Sequence, residues 1–149
     1  PIDEILASWL RDPLSIEPEH CQLIWDEQTS QWRLSASMDA IHRLGIAMLD
    51  AALFDGSYLM AMREPAQSSL PHFRLLWWND CRALLEERGI SPPNDLPSDL
   101  LVATLSGKEC LAISGKLDVA VTISAPNQPT ETHLALELLA NPVLWETLT

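Results

Sequence analysis

Residues 21–38 read Cys-Gln-Leu-Ile-Trp-Asp-Glu-Gln-Thr-Ser-Gln-Trp-Arg-Leu-Ser-Ala-Ser-Met, and their alternation decides the fold class. Cys21, Leu23 and Trp25 alternate with Gln22 and Asp26. Trp32, Leu34, Ala36 and Met38 alternate with Gln31, Arg33, Ser35 and Ser37. A period of two places like residues on one side of an extended strand. The polar run Glu27-Gln28-Thr29-Ser30 between the two halves supplies the turn. The pattern predicts a β-hairpin with one buried and one wet face.

Outward from the hairpin the period becomes helical. On the N-terminal side, Ile2, Ile5, Leu6, Trp9 and Leu10 share one face of a predicted helix, with Asp3 and Glu4 in its first turn. Negative charge is favoured there by the helix dipole. Pro13 and Pro18 then open a loop. On the C-terminal side, Ile41, Leu44, Met48, Ala51 and Ala52 form the stripe of a second helix, capped by Ser37 or Asp39 and closed by Gly56. Tyr58, Met60 and Met62 alternate with Leu59, Ala61 and Arg63, which reads as a strand ending at Pro65.

The stretch from Pro71 to Gly89 supports two readings. Phe73, Leu76, Trp77, Cys81, Leu84 and Leu85 fit one long amphipathic helix. Alternatively Phe73, Leu75 and Trp77 form a strand beside residues 58–63, followed by a helix from Asp80. Ser91-Pro92-Pro93-Asn94 is the best internal boundary, dividing 1–90 from 95–149 if the single α+β domain is divided at all. Beyond it, Pro97 to Leu105 reads as a short helix. Cys110–Ile113 and Leu117–Ile123 read as a second hairpin around Ser114-Gly115-Lys116. Thr130 caps a final helix bearing Leu134, Leu138 and Leu139, which Pro142 breaks or kinks. The expected class is therefore α+β, with antiparallel hairpin sheets packed against helices. Helix–hairpin–helix occurs twice, at 2–54 and 97–147, and the slight residue identity between the copies favours coincidence over a repeat.

Net charge is −12, divided evenly as −6 in residues 1–75 and −6 in 76–149. Only two lysines occur, Lys108 and Lys116, and no basic cluster. Nucleic acids and anionic membranes are recognised by neutralising phosphates with Lys and Arg, so neither is an expected partner. The acidity suits a basic partner, or simply solubility. Cys21, Cys81 and Cys110 are isolated and lie in apolar stretches, which points to a reducing, cytoplasmic setting. No secretory signal is read, and the longest apolar runs are too short for a bilayer.

His20, His42, His72 and His133 show no metal-ligand spacing. His20 and Cys21 are adjacent, and neighbouring strand residues point to opposite faces. The five glycines are each alone, so no loop is built to cradle a phosphate. No catalytic residue, metal site or cofactor is assigned, and the chain is expected to work by binding another protein.

Six tryptophans and four methionines need a place. Core packing is the plain reading. The alternative is an exposed sheet face or edge, because adjacent Trp77 and Trp78 diverge on either a strand or a helix, so that one of them is expected at a surface. Tyr58, Leu59, Met60, Met62, Trp77 and Trp78 are accordingly the candidate partner-binding residues. The run Leu44–Ala66 (LGIAMLDAALFDGSYLMAMREPA), a Leu- and Ala-rich helix, a glycine turn and an aromatic-led strand, resembles the central segment of class I type III secretion chaperones of the CesT and Tir-chaperone group. The element order over 2–89 is similar as well. The first sheet segment has two strands where that family usually has three, and residues 95–149 add a helix–hairpin–helix. The resemblance implies a homodimer that holds an extended segment of a secreted effector without ATP, or a regulatory relative acting as an anti-activator. An acidic immunity or inhibitor protein that neutralises a basic toxin or enzyme is the competing expectation.

Overall fold

The computed structural model describes residues 2–50, 60–62, 64, 73–74, 77–106, 108–125 and 133–148. The chain opens with α1 (Ile2–Leu6), which continues through a π-helical turn at Ala7–Arg11 into α2 (Asp12–Leu14). The helical segment thus runs through Pro13, whose missing N–H withholds one backbone bond from the preceding turn, where the helix is π-wound. Ser15, in the left-handed conformation, ends it. A 3-10 turn at Pro18–His20 leads into β1 (Cys21–Asp26) and β2 (Gln31–Ala36). These strands form a separate two-stranded antiparallel sheet, in register from Cys21↔Ala36 to Asp26↔Gln31.

Helix α3 (Met38–Leu49) follows directly, its first turn capped by the Ser37 hydroxyl, which accepts from the Ala40 N–H at 3.2 Å. The second sheet has five antiparallel strands in sequential order: β3 (Phe73–Arg74), β4 (Trp77–Trp78), β5 (Leu101–Ser106), β6 (Glu109–Ser114) and β7 (Val119–Ser124). Helix α4 (Cys81–Glu87), capped by Asp80, lies between β4 and β5. Helices α5 (Leu134–Leu139) and α6 (Pro142–Glu146) end the chain, with Asn141 capping α6.

Both faces of the five-stranded sheet are covered. Leu101, Leu111 and Ile113 pack on one side with Ile41 and Met48 of α3, together with Met62. On the other side Val102, Cys110 and Ala112 pack with Leu84 and Leu85 of α4 and with Leu136, Leu139 and Trp145 of α5–α6. Neighbouring residues of one strand therefore enter different cores. Helix α3 approaches closely at Gly45, where an added Cβ would stand 2.7 Å from Leu111 Cδ1 and 3.2 Å from the Ala120 Cβ. A third, smaller core joins Ile16, Cys21 and Ala40 to Leu6, Leu10 and Leu14, and seats the base of the first hairpin on the N-terminal helices. The mixed α+β class with antiparallel sheets packed against helices is as the sequence indicates.

Several local expectations are corrected. Residues 101–105 are strand, not helix, so the second helix–hairpin–helix unit does not exist. A strand buried on both faces shows an unbroken apolar run, which periodicity cannot separate from a short helix. Residues 60–62 are helical, not extended. Met60 is accordingly exposed while Met62 is fully buried, whereas a strand would have turned both to one side. Tyr58 and Leu59 lie outside the described residues. Within 71–89 the long helix is absent: β3 and β4 pair with each other, Phe73 opposite Trp78, and the helix begins after Asp80. β4 also pairs with β5 through Trp78↔Val102, so the sheet continues across the Ser91–Asn94 boundary. Thr130 is not among the described residues. Pro142 starts α6, and Leu138 of the expected apolar stripe is exposed.

Candidate functional site

Trp77 and Trp78 do not reach the surface. They are 6% and 7% exposed and enter opposite cores. The expectation that one must be exposed assumed a sheet covered on one side only, and this sheet is covered on two. Met62 is buried with Trp77, which leaves Met60 as the only exposed member of the candidate set among the described residues.

Exposed apolar side chains lie instead on the β1–β2 hairpin and on the N-terminal helix. On that helix Ile5 and Trp9 face outward, while Leu6 and Leu10, expected on the same face, pack on the small core. The pairing Leu23↔Leu34 and Trp25↔Trp32 places these four side chains on one face. Trp25 is 46% exposed, Trp32 50% and Leu34 50%, and Ile24 on the opposite face is 48% exposed. The two indoles meet edge-to-face, with ring centroids 5.4 Å apart and planes inclined at 66°. That arrangement suits the aromatic quadrupole and fixes both rings while leaving their outer surfaces free. The alternation thus identified the apolar face, but no part of the described chain covers its distal half.

The hairpin is braced by hydrogen bonds at both ends. At its base, the guanidinium of buried Arg11 donates to Asp3 Oδ2 at 2.9 Å and to the Cys21 carbonyl at 3.5 Å, tying β1 to the first helix. At its tip, Asp26 Oδ1 accepts from the backbone N–H of Gln28 at 2.9 Å and of Thr29 at 3.4 Å. Arg33 Nη1 donates to the other carboxylate oxygen at 3.2 Å. The Gln28 N–H, followed by Thr29 and Arg33, holds the Asp26 carboxyl below its ordinary range. Ser30 completes the turn with a positive φ of 52°. An open concavity of about 600 Å³ runs along this end, lined by Ile24, Trp25, Asp26, Glu27, Gln28, Arg33, Leu34 and Ser35. It combines apolar walls with acidic and amide groups, and Trp25 and Trp32 are the residue type that carries the most energy in protein contacts.

No protein-family model, curated protein or solved structure matches this chain.

Burial raises the Cys81 thiol to about 12, with Cys110 and Asp80 adding to the effect, and burial alone raises Cys110 to about 12. Burial also raises Cys21, against the pull of Arg11. A nucleophilic cysteine needs the opposite shift. Among the described residues no three His, Cys, Asp or Glu side chains gather as metal ligands, and no helix is long and apolar enough to cross a membrane.

Proposed function

We propose that this protein acts by binding another protein, as a cytoplasmic chaperone or regulatory co-factor of a bacterial type III secretion system that holds a secreted or regulatory partner. The observation that carries the binding reading is the Trp25–Trp32 pair with Leu34, held exposed on a hairpin that is braced at base and tip. An unfolded or extended partner offers apolar side chains that such a face can cover, and pre-ordering the rings lowers the entropy lost on contact. The resemblance to class I secretion chaperones supplies the pathway. The helix, hairpin and helix over residues 2–49, together with the even acidity, support it.

The competing reading, an acidic inhibitor of a basic toxin or enzyme, rests on the net charge of −12. Co-purification from the native host, with mass spectrometry of what stays bound, separates the two. A secreted or secretion-regulating protein retained by the wild type and lost from W25A/W32A supports the leading reading. A basic toxin retained equally by both proteins sinks it. Turnover of a small metabolite by the pure protein would overturn the non-enzymatic role as a whole.

A further inference from the structure

The outer edge of the five-stranded sheet is β7, and among the described residues nothing pairs with its free side. Its sequence, Val-Ala-Val-Thr-Ile-Ser, contains no charge, proline or glycine. Its register with β6 runs unbroken from Ser114↔Val119 to Glu109↔Ser124, whereas β5 and β6 slip between Thr104 and Ser106. Natural edge strands are blunted by lysine, proline, bulges or inward charges, because a regular edge presents unpaired N–H and C=O groups to any other strand. None of these devices is present in β7.

Beside this edge lies a groove of about 500 Å³ whose far wall is made by Leu138, Val143 and Leu144 of α5–α6. Val143 is 59% exposed and Leu138 43%. Every residue lining the groove is uncharged. In a chain of net charge −12 that neutrality selects between partners. A basic partner gains by meeting carboxylates and gains nothing electrostatically here. A second copy of this chain carries the same −12, and is repelled at any seam where acids face acids.

We infer that β7 is a self-association edge, pairing antiparallel with β7 of a second copy about a twofold axis. The two five-stranded sheets then become one continuous sheet. In an isologous interface each residue meets one from the same short set. With the axis through a Val121–Val121 pair, which keeps opposed side chains on one face, Val119 faces Ile123, and the nearest acid, Asp118, faces Ser124. No like charges are opposed. The exposed apolar wall of each α5–α6 pair flanks the new seam. This inference is independent of the role given to the β1–β2 hairpin.

The test combines sedimentation equilibrium with hydrogen exchange on the full chain. The wild type is expected to dimerise reversibly, with amide exchange across residues 119–124 slowing as concentration rises. L138E and V143E change exposed side chains, so the fold is retained, as circular dichroism will verify. Each variant should weaken dimerisation by roughly tenfold or more. W25A/W32A should still dimerise. A wild type that stays monomeric overturns the proposal. So does a dimer that survives L138E and V143E but is lost in W25A/W32A, or protection of 119–124 that appears only when an unrelated extended peptide is added.

Discussion

Replacing Gly45 by alanine tests how closely α3 is seated on the sheet. In an exposed helix interior the exchange would stabilise, since alanine is favoured over glycine by about 1 kcal/mol. At Gly45 the new methyl meets Leu111 Cδ1 at 2.7 Å and the Ala120 Cβ at 3.2 Å. Neither neighbour can yield cheaply. Leu111 is 1% exposed and enclosed by Ile41, Met48 and Trp77, while the Ala120 Cβ moves only with its strand. Overpacking of this kind costs about 1–3 kcal/mol. The two terms leave G45A destabilised by about 1 kcal/mol, and G45V, with two further methyls, by about 3 kcal/mol or more. I46A, on the adjacent exposed side of the helix, should change little. Urea unfolding followed by circular dichroism measures all three through the midpoint at constant slope. A double-mutant cycle should show the G45A cost shrinking in an L111A background, where the space is vacated. A raised midpoint for G45A, or strict additivity with L111A, would refute the close approach.

Other perturbations have equally definite outcomes. Trp145 is fully buried and its indole N–H donates to the Leu139 carbonyl at 2.8 Å, so W145A should lose about 3–5 kcal/mol in the same assay. W25A/W32A should lose no more than about 1–2 kcal/mol, because the pair is half exposed and its edge-to-face contact is small. Asp99 accepts from the buried Ser114 hydroxyl at 2.8 Å and from the Lys116 N–H at 2.9 Å, so D99A should cost about 1–3 kcal/mol and loosen the β6–β7 turn. The Cys81 and Cys110 thiols ordinarily ionise near 9.0 and are raised to about 12 in the fold. A raised folded value gives stability that is intact below pH 9.0 and lost as pH climbs toward 12. Unfolding free energy should therefore fall by up to about 1.4 kcal/mol per thiol for each pH unit in that window, and C81A/C110A should flatten the dependence. Lowering of the Asp26 carboxyl has the opposite sign: its contribution is present at neutral pH and fades as pH drops below the ordinary carboxylate range.

What the sequence showed depended on whether an element has two different faces. The β1–β2 hairpin and α3 were legible because one side of each is polar: Gln22 and Arg33 mark one strand face, while Asp39 and Arg43 mark the outer side of the helix. β4 and β5 have no polar face, since Trp77 and Leu101 enter one core while Trp78 and Val102 enter the other. Their alternation is therefore invisible, which is why 101–105 read as helix and the tryptophan pair as a surface. The candidate site was half legible for a related reason. Periodicity groups Leu23, Trp25, Trp32 and Leu34 on one face, but whether another element covers that face is a tertiary fact. Met60 and Met62 gave too short a run to separate two periods.

The sequential strand order carries a kinetic consequence. Each strand of the second sheet pairs with its neighbour in sequence, so apart from the β4–β5 connection, which carries α4, the meander closes short loops and can grow one strand at a time. Helix α3 is the exception. Its apolar stripe docks on β6 and β7, more than sixty residues downstream. During synthesis the Gly45 face of α3 cannot close on Leu111 and Ala120 until the chain has been made through β7. The hairpin and N-terminal helices beside them can already have settled into their own small core around Cys21. The Gly45 contact is a late, long-range closure, so mutations at Gly45 should act mainly on the unfolding rate.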